Sequence, residues 1–228
     1  MQAPSGSPEK FDHYASDYEK LHAANIAVTG ESTDYFAEYK LRCLSRLGAP
    51  KDEPLLDFGA GIGNLTEKLV LEFGDVTAYE PSEKSREIAK TRVPRAHSCG
   101  SEDELENGKF ATAVLAGVMH HVPPAERRGL LARLRSKLRP GGRVFIFEHN
   151  PLNPLTRRAV STCEFDDDAI LLWPWSIRPL LKSAGFVPER LDYIVFFPRA
   201  LAALRPMEPY LRHVFLGAQT LTVATNPG

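Results

Sequence analysis

The chain has 228 residues, 43% hydrophobic and 25% charged, with a formal net charge of −1. That length suits one large domain with a substantial core, and the balanced charge excludes the broad basic field that draws nucleic acid or anionic membranes. Three widely spaced cysteines, Cys43, Cys99 and Cys163, argue for a reducing compartment and against a disulfide framework or a CxxC zinc site.

The polar, Pro/Ser-rich stretch 1–10 reads as a flexible leader without an apolar signal region. No apolar run reaches the length of a membrane span, so the expected location is the cytoplasm. A helix is predicted to start at Phe11, with Phe11, Tyr14 and Tyr18 on one face. A second is predicted over 33–47, stopped by Gly48 with Pro50 beyond it. Strands follow at 54–58, 76–79, 95–98, 111–116 and 143–148, alternating with helices at 63–73, 82–93 and 123–138. The strands are short and mostly apolar, as in a parallel sheet buried on both faces. In the last of these helices Leu130, Leu131, Leu134 and Leu138 face inward. Arg127, Arg128, Arg133, Arg135, Lys137 and Arg139 are expected to form its solvated face rather than a nucleic-acid ridge.

From 150 to 175 the alternation breaks into an irregular insert. It carries Pro151, Pro154 and Pro174, the run Asp166-Asp167-Asp168, and Trp173 and Trp175. Inserts after a strand's C-terminal end are where α/β folds place substrate contacts. A helix over 176–184 and strands at 191–197 and 215–224 close the chain. The fold class is α/β.

The strongest motif is Leu55-Leu56-Asp57-Phe58-Gly59-Ala60-Gly61-Ile62-Gly63-Asn64. It is a buried strand ending in a glycine turn that opens a helix, a geometry that brings backbone N–H groups close to a ligand. A dinucleotide fingerprint runs Gly-x-Gly-x-x-Gly. Here the third glycine comes one residue early, and Asn64 takes the sixth place. The Asp57 carboxylate would repel a pyrophosphate and pair with an ammonium group. Glu80, at the end of the second strand, sits where a carboxylate accepts two hydrogen bonds from a ribose diol.

At these residues the chain resembles the class I S-adenosylmethionine (SAM)-dependent methyltransferases. Their acid-x-Gly-x-Gly-x-Gly motif is matched from Asp57 to Gly63, their second acid by Glu80, and a frequent turn by Leu138-Arg139-Pro140-Gly141-Gly142. The resemblance covers about residues 54–225. It implies a Rossmann-like, seven-stranded, mainly parallel sheet with helices on both faces and an antiparallel last strand. It also implies a helical lid at 11–50 and a cofactor domain at 51–228 with the acceptor insert at about 150–175. SAM would be the cofactor and S-adenosylhomocysteine the product. Contacts are implied from Asp57, Gly59, Ala60, Gly61, Gly63, Asn64, Glu80 and Pro81, and from Ala116, Gly117 and Val118 after the fourth strand. Tyr14 and Tyr18 match the "FDxxAxxY" opening that folds over the cofactor in many such enzymes. Where the family carries an acid for the adenine amine, this chain has Ser101. Either Glu102 or a backbone carbonyl substitutes, or Ser101 caps a helix.

His120 and His121 follow the fourth strand, and one of them is the expected general base; His149, ending the fifth strand, is a second base, an acceptor-orienting group or a structural partner of the loop before Pro151. No spacing specifies a metal site from these histidines and Asp166 to Asp168, so none is expected. Trp173, Trp175, Phe196 and Phe197 either wall an acceptor or pack in the core. The expected activity is methyl transfer from SAM to a small-molecule acceptor, onto a hydroxyl oxygen, with no nucleic-acid partner. Missing Asn-Pro-Pro-Tyr and Pro-Cys sequences after the fourth strand argue against amino methylation of adenine or glutamine and against cytosine C5 chemistry. A non-catalytic SAM-binding regulatory or partner subunit and a nicotinamide-dependent oxidoreductase remain as alternatives.

Overall fold

The computed structural model describes Asp12, Ile26 and residues 29–228. The expected lid helix with Tyr14 and Tyr18 therefore lies outside the described residues. The elements are α1 (Thr33–Arg46), β1 (Leu55–Phe58), α2 (Asn64–Glu72), β2 (Val76–Tyr79), α3 (Glu83–Arg92), β3 (His97–Cys99), β4 (Phe110–Ala116), α4 (Pro124–Lys137), β5 (Leu138–His149), α5 (Pro154–Ser161), α6 (Pro174–Ser183), β6 (Val187–Ile194), α7 (Glu208–Leu211) and β7 (Gln219–Thr225).

Among the described residues, seven strands form one sheet in the order β3-β2-β1-β4-β5-β7-β6. Neighbours from β3 through β5 pair in parallel. β7 enters antiparallel between β5 and β6. The order reverses between β1 and β4, so the crevice for a ligand opens at the C-terminal ends of those strands. Strand alternation feeds two cores. Leu55, Phe145 and Phe147 pack with α1 and α2 on one face. Leu56, Val144 and Ile146 pack with α4 and α6 on the other. Burial on both faces is why these strands are nearly all apolar.

Three segments depart from the sequence expectation. β5 starts at Leu138, because Pro140-Gly141-Gly142 forms a bulge inside the strand rather than a turn ahead of it. The register jumps from Phe110 opposite Leu138 to Thr112 opposite Arg143. A Cβ on Gly142 would meet the carbonyl oxygens of Arg139 and Phe110 at 2.9 Å each, so only glycine passes there. The 150–175 insert is not wholly irregular, since it holds α5. The Asn153 side chain accepts hydrogen bonds from the Leu155 and Thr156 N–H groups and Pro154 occupies the first turn, an Asn-Pro start signal present in the sequence. Finally, β6 ends at Ile194 rather than at 197. Val195 takes a left-handed φ of 61°, and the Phe196 and Phe197 N–H groups turn to donate to Glu208 Oε1.

Candidate active site

The cofactor side is built from the ends of β1 and β2. The Gly59 and Ala60 N–H groups donate to the Tyr79 carbonyl at 2.8 and 3.0 Å, which fastens the glycine turn to β2. Gly59 has φ 79°, and a Cβ there would lie 2.6 Å from Val118 Cγ2. Gly61 has φ 54° and nothing within 4 Å of where its Cβ would be. The turn thus packs against the end of β4 on one side and borders open space on the other. The Gly61 N–H donates to Glu80 Oε2 and the Ser82 N–H to Glu80 Oε1, both at 2.8 Å. Each Glu80 oxygen keeps a further lone pair for a hydroxyl donor. Burial raises the Glu80 pKa against those two N–H bonds.

Asp57 is 2% exposed and accepts from Thr66 Oγ1 at 2.7 Å. Burial pushes its pKa up to about 6, with the Thr66 hydrogen bond opposing and Glu80 adding to the rise. Lys40, on α1, lies within electrostatic reach of Asp57 and Glu148, and burial pulls its pKa down to about 8. The sequence reading missed Lys40; on its own helix it is one charged residue among several. Asp12 accepts from Ser82 Oγ at 2.6 Å and from the Lys84 N–H at 2.9 Å, which sets it beside Glu80.

The other expected cofactor residues separate. Ala60, Ala116, Gly117 and Val118 are partly buried along the crevice. Asn64 opens α2 and its side chain accepts from Arg92. Pro81 is exposed. Ser101 caps a short 3-10 turn, with Glu104 bonding back to complete a capping box. Glu102 is tied to Arg133 at 2.7 Å.

At the ends of β4 and β5 stands a carboxylate–imidazole cluster. A 3-10 turn over Met119–His121 follows β4, and the Met119 N–H donates to Glu148 Oε1 at 2.8 Å. Glu148 Oε2 lies 2.6 Å from His120 Nδ1. His120 Nε2 and His121 Nε2 each lie 3.5 Å from Asp166 Oδ1, and His121 Nδ1 lies 3.3 Å from Asp168 Oδ1. The His149 ring centroid is 5.0 Å from that of His120. His120 and His121 are 2% and 5% exposed, whereas His149 is partly exposed.

Burial opposes charge on His120, but Glu148 and Asp166 outweigh it and raise its pKa to about 10. His121 and His149 are pushed down to about 4 by burial and by the nearby His120 charge. Burial opposes charge on Asp166, but the surrounding His120, His149 and His121 imidazoles override it and hold its pKa at about 2.

Arg127 corrects an expectation. It is 7% exposed rather than solvated, and its guanidinium donates to the carbonyls of Val122 and Ile170. The Ile170 N–H in turn donates to the His120 carbonyl at 2.8 Å. Arg127 and this backbone bond clamp the segment that carries Asp166 and Asp168 onto the histidine turn. Asn150 fastens the next loop, donating to the carbonyls of Phe215 and Gly217. Trp173 and Trp175 stack at 4.8 Å and are 43% and 64% exposed. Sequence reasoning did not give Glu148, Asp166 and Asp168 defined partners; the acidic run was the one visible sign.

A methyltransferase domain model matches residues 32–190. An uncharacterized methyltransferase of Bacillus thuringiensis is 31% identical over 140 residues, which cover 59% of this chain and 63% of that protein. A SAM-dependent methyltransferase of Thermotoga maritima, described as a possible histamine N-methyltransferase, superposes with a TM-score of 0.69 at 20% identity, covering 96% and 99% of the two chains. Phosphoethanolamine N-methyltransferase 2 of Haemonchus contortus, solved with phosphomonomethylethanolamine and S-adenosylhomocysteine, gives 0.60 at 20% identity, covering 84% and 53%. The residues present fit SAM: open space at Gly61, a two-pronged acceptor at Glu80, and a desolvated carboxylate at Asp57 for an ammonium group. With its glycine turn, its paired acids and its 3-2-1-4-5-7-6 sheet, the chain belongs to the class I SAM-dependent methyltransferases.

Proposed function

We propose that this protein transfers a methyl group from SAM to a hydroxyl oxygen of a small-molecule acceptor, with a histidine as general base. When bound, SAM supplies an electrophilic methyl on a sulfonium. The chain's own residues do the rest. Asp57 would hold the amino-acid end, Glu80 would accept from the ribose hydroxyls, and the glycine turn would let the backbone lie against the nucleoside. With their roles at the amino-acid and ribose ends, both carboxylates would bind the cofactor without selectively stabilising the ground-state positive charge on its sulfur. His149 is the proposed base. It is the most exposed of the three imidazoles, and its lowered pKa keeps it neutral and able to accept a proton. His120 is held between Glu148 and Asp166 and orients the site instead.

The observation that carries this reading is the Gly61 N–H on Glu80 Oε2, which joins the turn and the second acid into one cradle. Calorimetric titration with SAM, S-adenosylhomocysteine and NADH tests it, followed by a hydroxyl-acceptor screen read as S-adenosylhomocysteine release. Micromolar affinity for the first two ligands is expected. Binding of NADH alone would end the reading. SAM binding without turnover on any acceptor would favour a regulatory subunit.

A further inference from the structure

His120 and His121 repeat one arrangement. Each has a carboxylate behind Nδ1: Glu148 at 2.6 Å from His120 and Asp168 at 3.3 Å from His121. Each directs Nε2 to the same atom, Asp166 Oδ1, at 3.5 Å. That separation is long for an N–H···O hydrogen bond. It matches the edge of a ligand tetrahedron, because metal–ligand bonds of about 2.0–2.2 Å set neighbouring donor atoms about 3.3–3.6 Å apart. Donor atoms of all three residues lie within 4.8 Å of one another. A carboxylate on the far nitrogen fixes the tautomer that presents Nε2 as a ligand, and here both imidazoles have one.

Charge and mounting agree with the geometry. Glu148 and Asp166 are 4% and 8% exposed, and Asp168 lies alongside. Against three carboxylates the cluster sets at most one protonated imidazole, His120, so net negative charge remains for a further cation to offset. The supporting backbone is fixed from both sides. Glu148 Oε1 holds the Met119 N–H. The Ile170 N–H and the Arg127 guanidinium lock the Asp166 segment to the histidine turn.

We infer that His120, His121 and Asp166 bind a first-row divalent transition-metal ion of the Zn2+ or Mn2+ kind, with Glu148 and Asp168 as the outer carboxylates that orient the imidazoles. Two imidazoles and one carboxylate disfavour Mg2+ and Ca2+, which take oxygen ligands. Three protein ligands would leave a coordination position open, and the His149 ring centroid stands 5.0 Å from that of His120. Use of that position rests on the methyltransferase reading: an acceptor oxygen bound there is held near the base and made more acidic. Metal binding itself does not rest on that reading.

The experiment uses the full chain, stripped with chelator and then titrated with Zn2+ by calorimetry and with Co2+ by visible absorption, with Mg2+ as control. One equivalent of Zn2+ and a tetrahedral Co2+ spectrum are expected. Asp166→Asn and His121→Ala should each weaken Zn2+ binding by at least about 100-fold, and Glu148→Gln by about 10- to 100-fold. Glu72→Gln, at a surface ion pair with Lys51, should leave it unchanged. Thermal melting of each variant shows which are folded, and two independent ligand variants keep the test open if one is not. No stoichiometric uptake of Zn2+ or Co2+ by the wild type, or uptake indifferent to both ligand variants, overturns the site. SAM titration of the same samples separates the two readings. Uptake of metal without SAM binding sinks the methyltransferase reading alone, and SAM binding without metal uptake sinks the metal site alone.

Discussion

The two halves of the crevice are built by different means. At the ends of β1 and β2, the groups that matter are backbone N–H donors and two acids, and their partners are close in the chain. Glu80 is held by Ser82, two residues on, and by Gly61, nineteen residues back. At the ends of β4 and β5, the groups are side chains from three separate segments. His120 meets Glu148 across 28 residues, and His121 meets Asp168 across 47. The first half needs one particular turn, and the second needs the whole sheet order. The β1–β2 half is therefore specified by a short motif, while the β4–β5 half depends on how a loop beyond β5 docks.

Three substitutions break or sharpen that contrast. The largest effect is expected at His149. His149→Ala should lower kcat by about 10²- to 10⁴-fold, the usual worth of a general base, while the SAM dissociation constant stays the same. Single-turnover kinetics beside a SAM titration would show it, and undiminished turnover would remove His149 as the base.

Asp57→Asn should do the reverse, weakening SAM binding before anything else. It carries a pH signature as well. The groups around Asp57 are Thr66 on α2, Glu80 after β2 and Lys40 on α1. The folded pKa of about 6 exceeds an unfolded value of about 3.9. Between these values the unfolded chain has already released a proton that the folded chain still holds. Wild-type stability should therefore fall as pH rises from about 4 to 6 and then level off, by an amount on the order of 2–3 kcal/mol. Asp57→Asn should be more stable than wild type at pH 8 and lose the advantage at pH 4. Denaturant melts at the two pH values decide it, and an equal difference at both would refute the sign.

Arg127→Met should cost about 1.5–3 kcal/mol, the range for hydrogen bonds from a charged group. It should loosen the segment over 166–170 and spare the β1–β2 half. Hydrogen exchange would then rise at Ala169 and Ile170 but not at Gly59 to Gly61. Uniform protection across both regions would mean that the clamp is not what docks the loop.

The chain itself made much of this legible. Leu55 and Leu56 face opposite cores because strand side chains alternate, and an apolar run announces that. Ser82 accepts from the Ser85 N–H as the cap of α3, a signal contained in four residues. Asp57, the three glycines and Glu80 are marked by spacing, because a left-handed turn tolerates little but glycine. The sequence misled where one residue type serves two geometries. Pro140-Gly141-Gly142 makes a bulge as readily as a turn, and Asn153-Pro154 starts a helix inside a stretch that looks like coil.

Arg127 lies on a helix whose arginines all look alike in sequence, yet it alone points to the carbonyls of Val122 and Ile170. Asp166 is one of three consecutive aspartates, and nothing local marks it as the one that meets two imidazoles. Local chemistry determined the turn, the caps and the placement of Asp57 and Glu80, since their partners lie within a few residues or one strand–helix–strand unit. Tertiary structure alone decided the carboxylate–imidazole cluster, because convergence of distant side chains depends on strand order and loop docking, which no local pattern encodes.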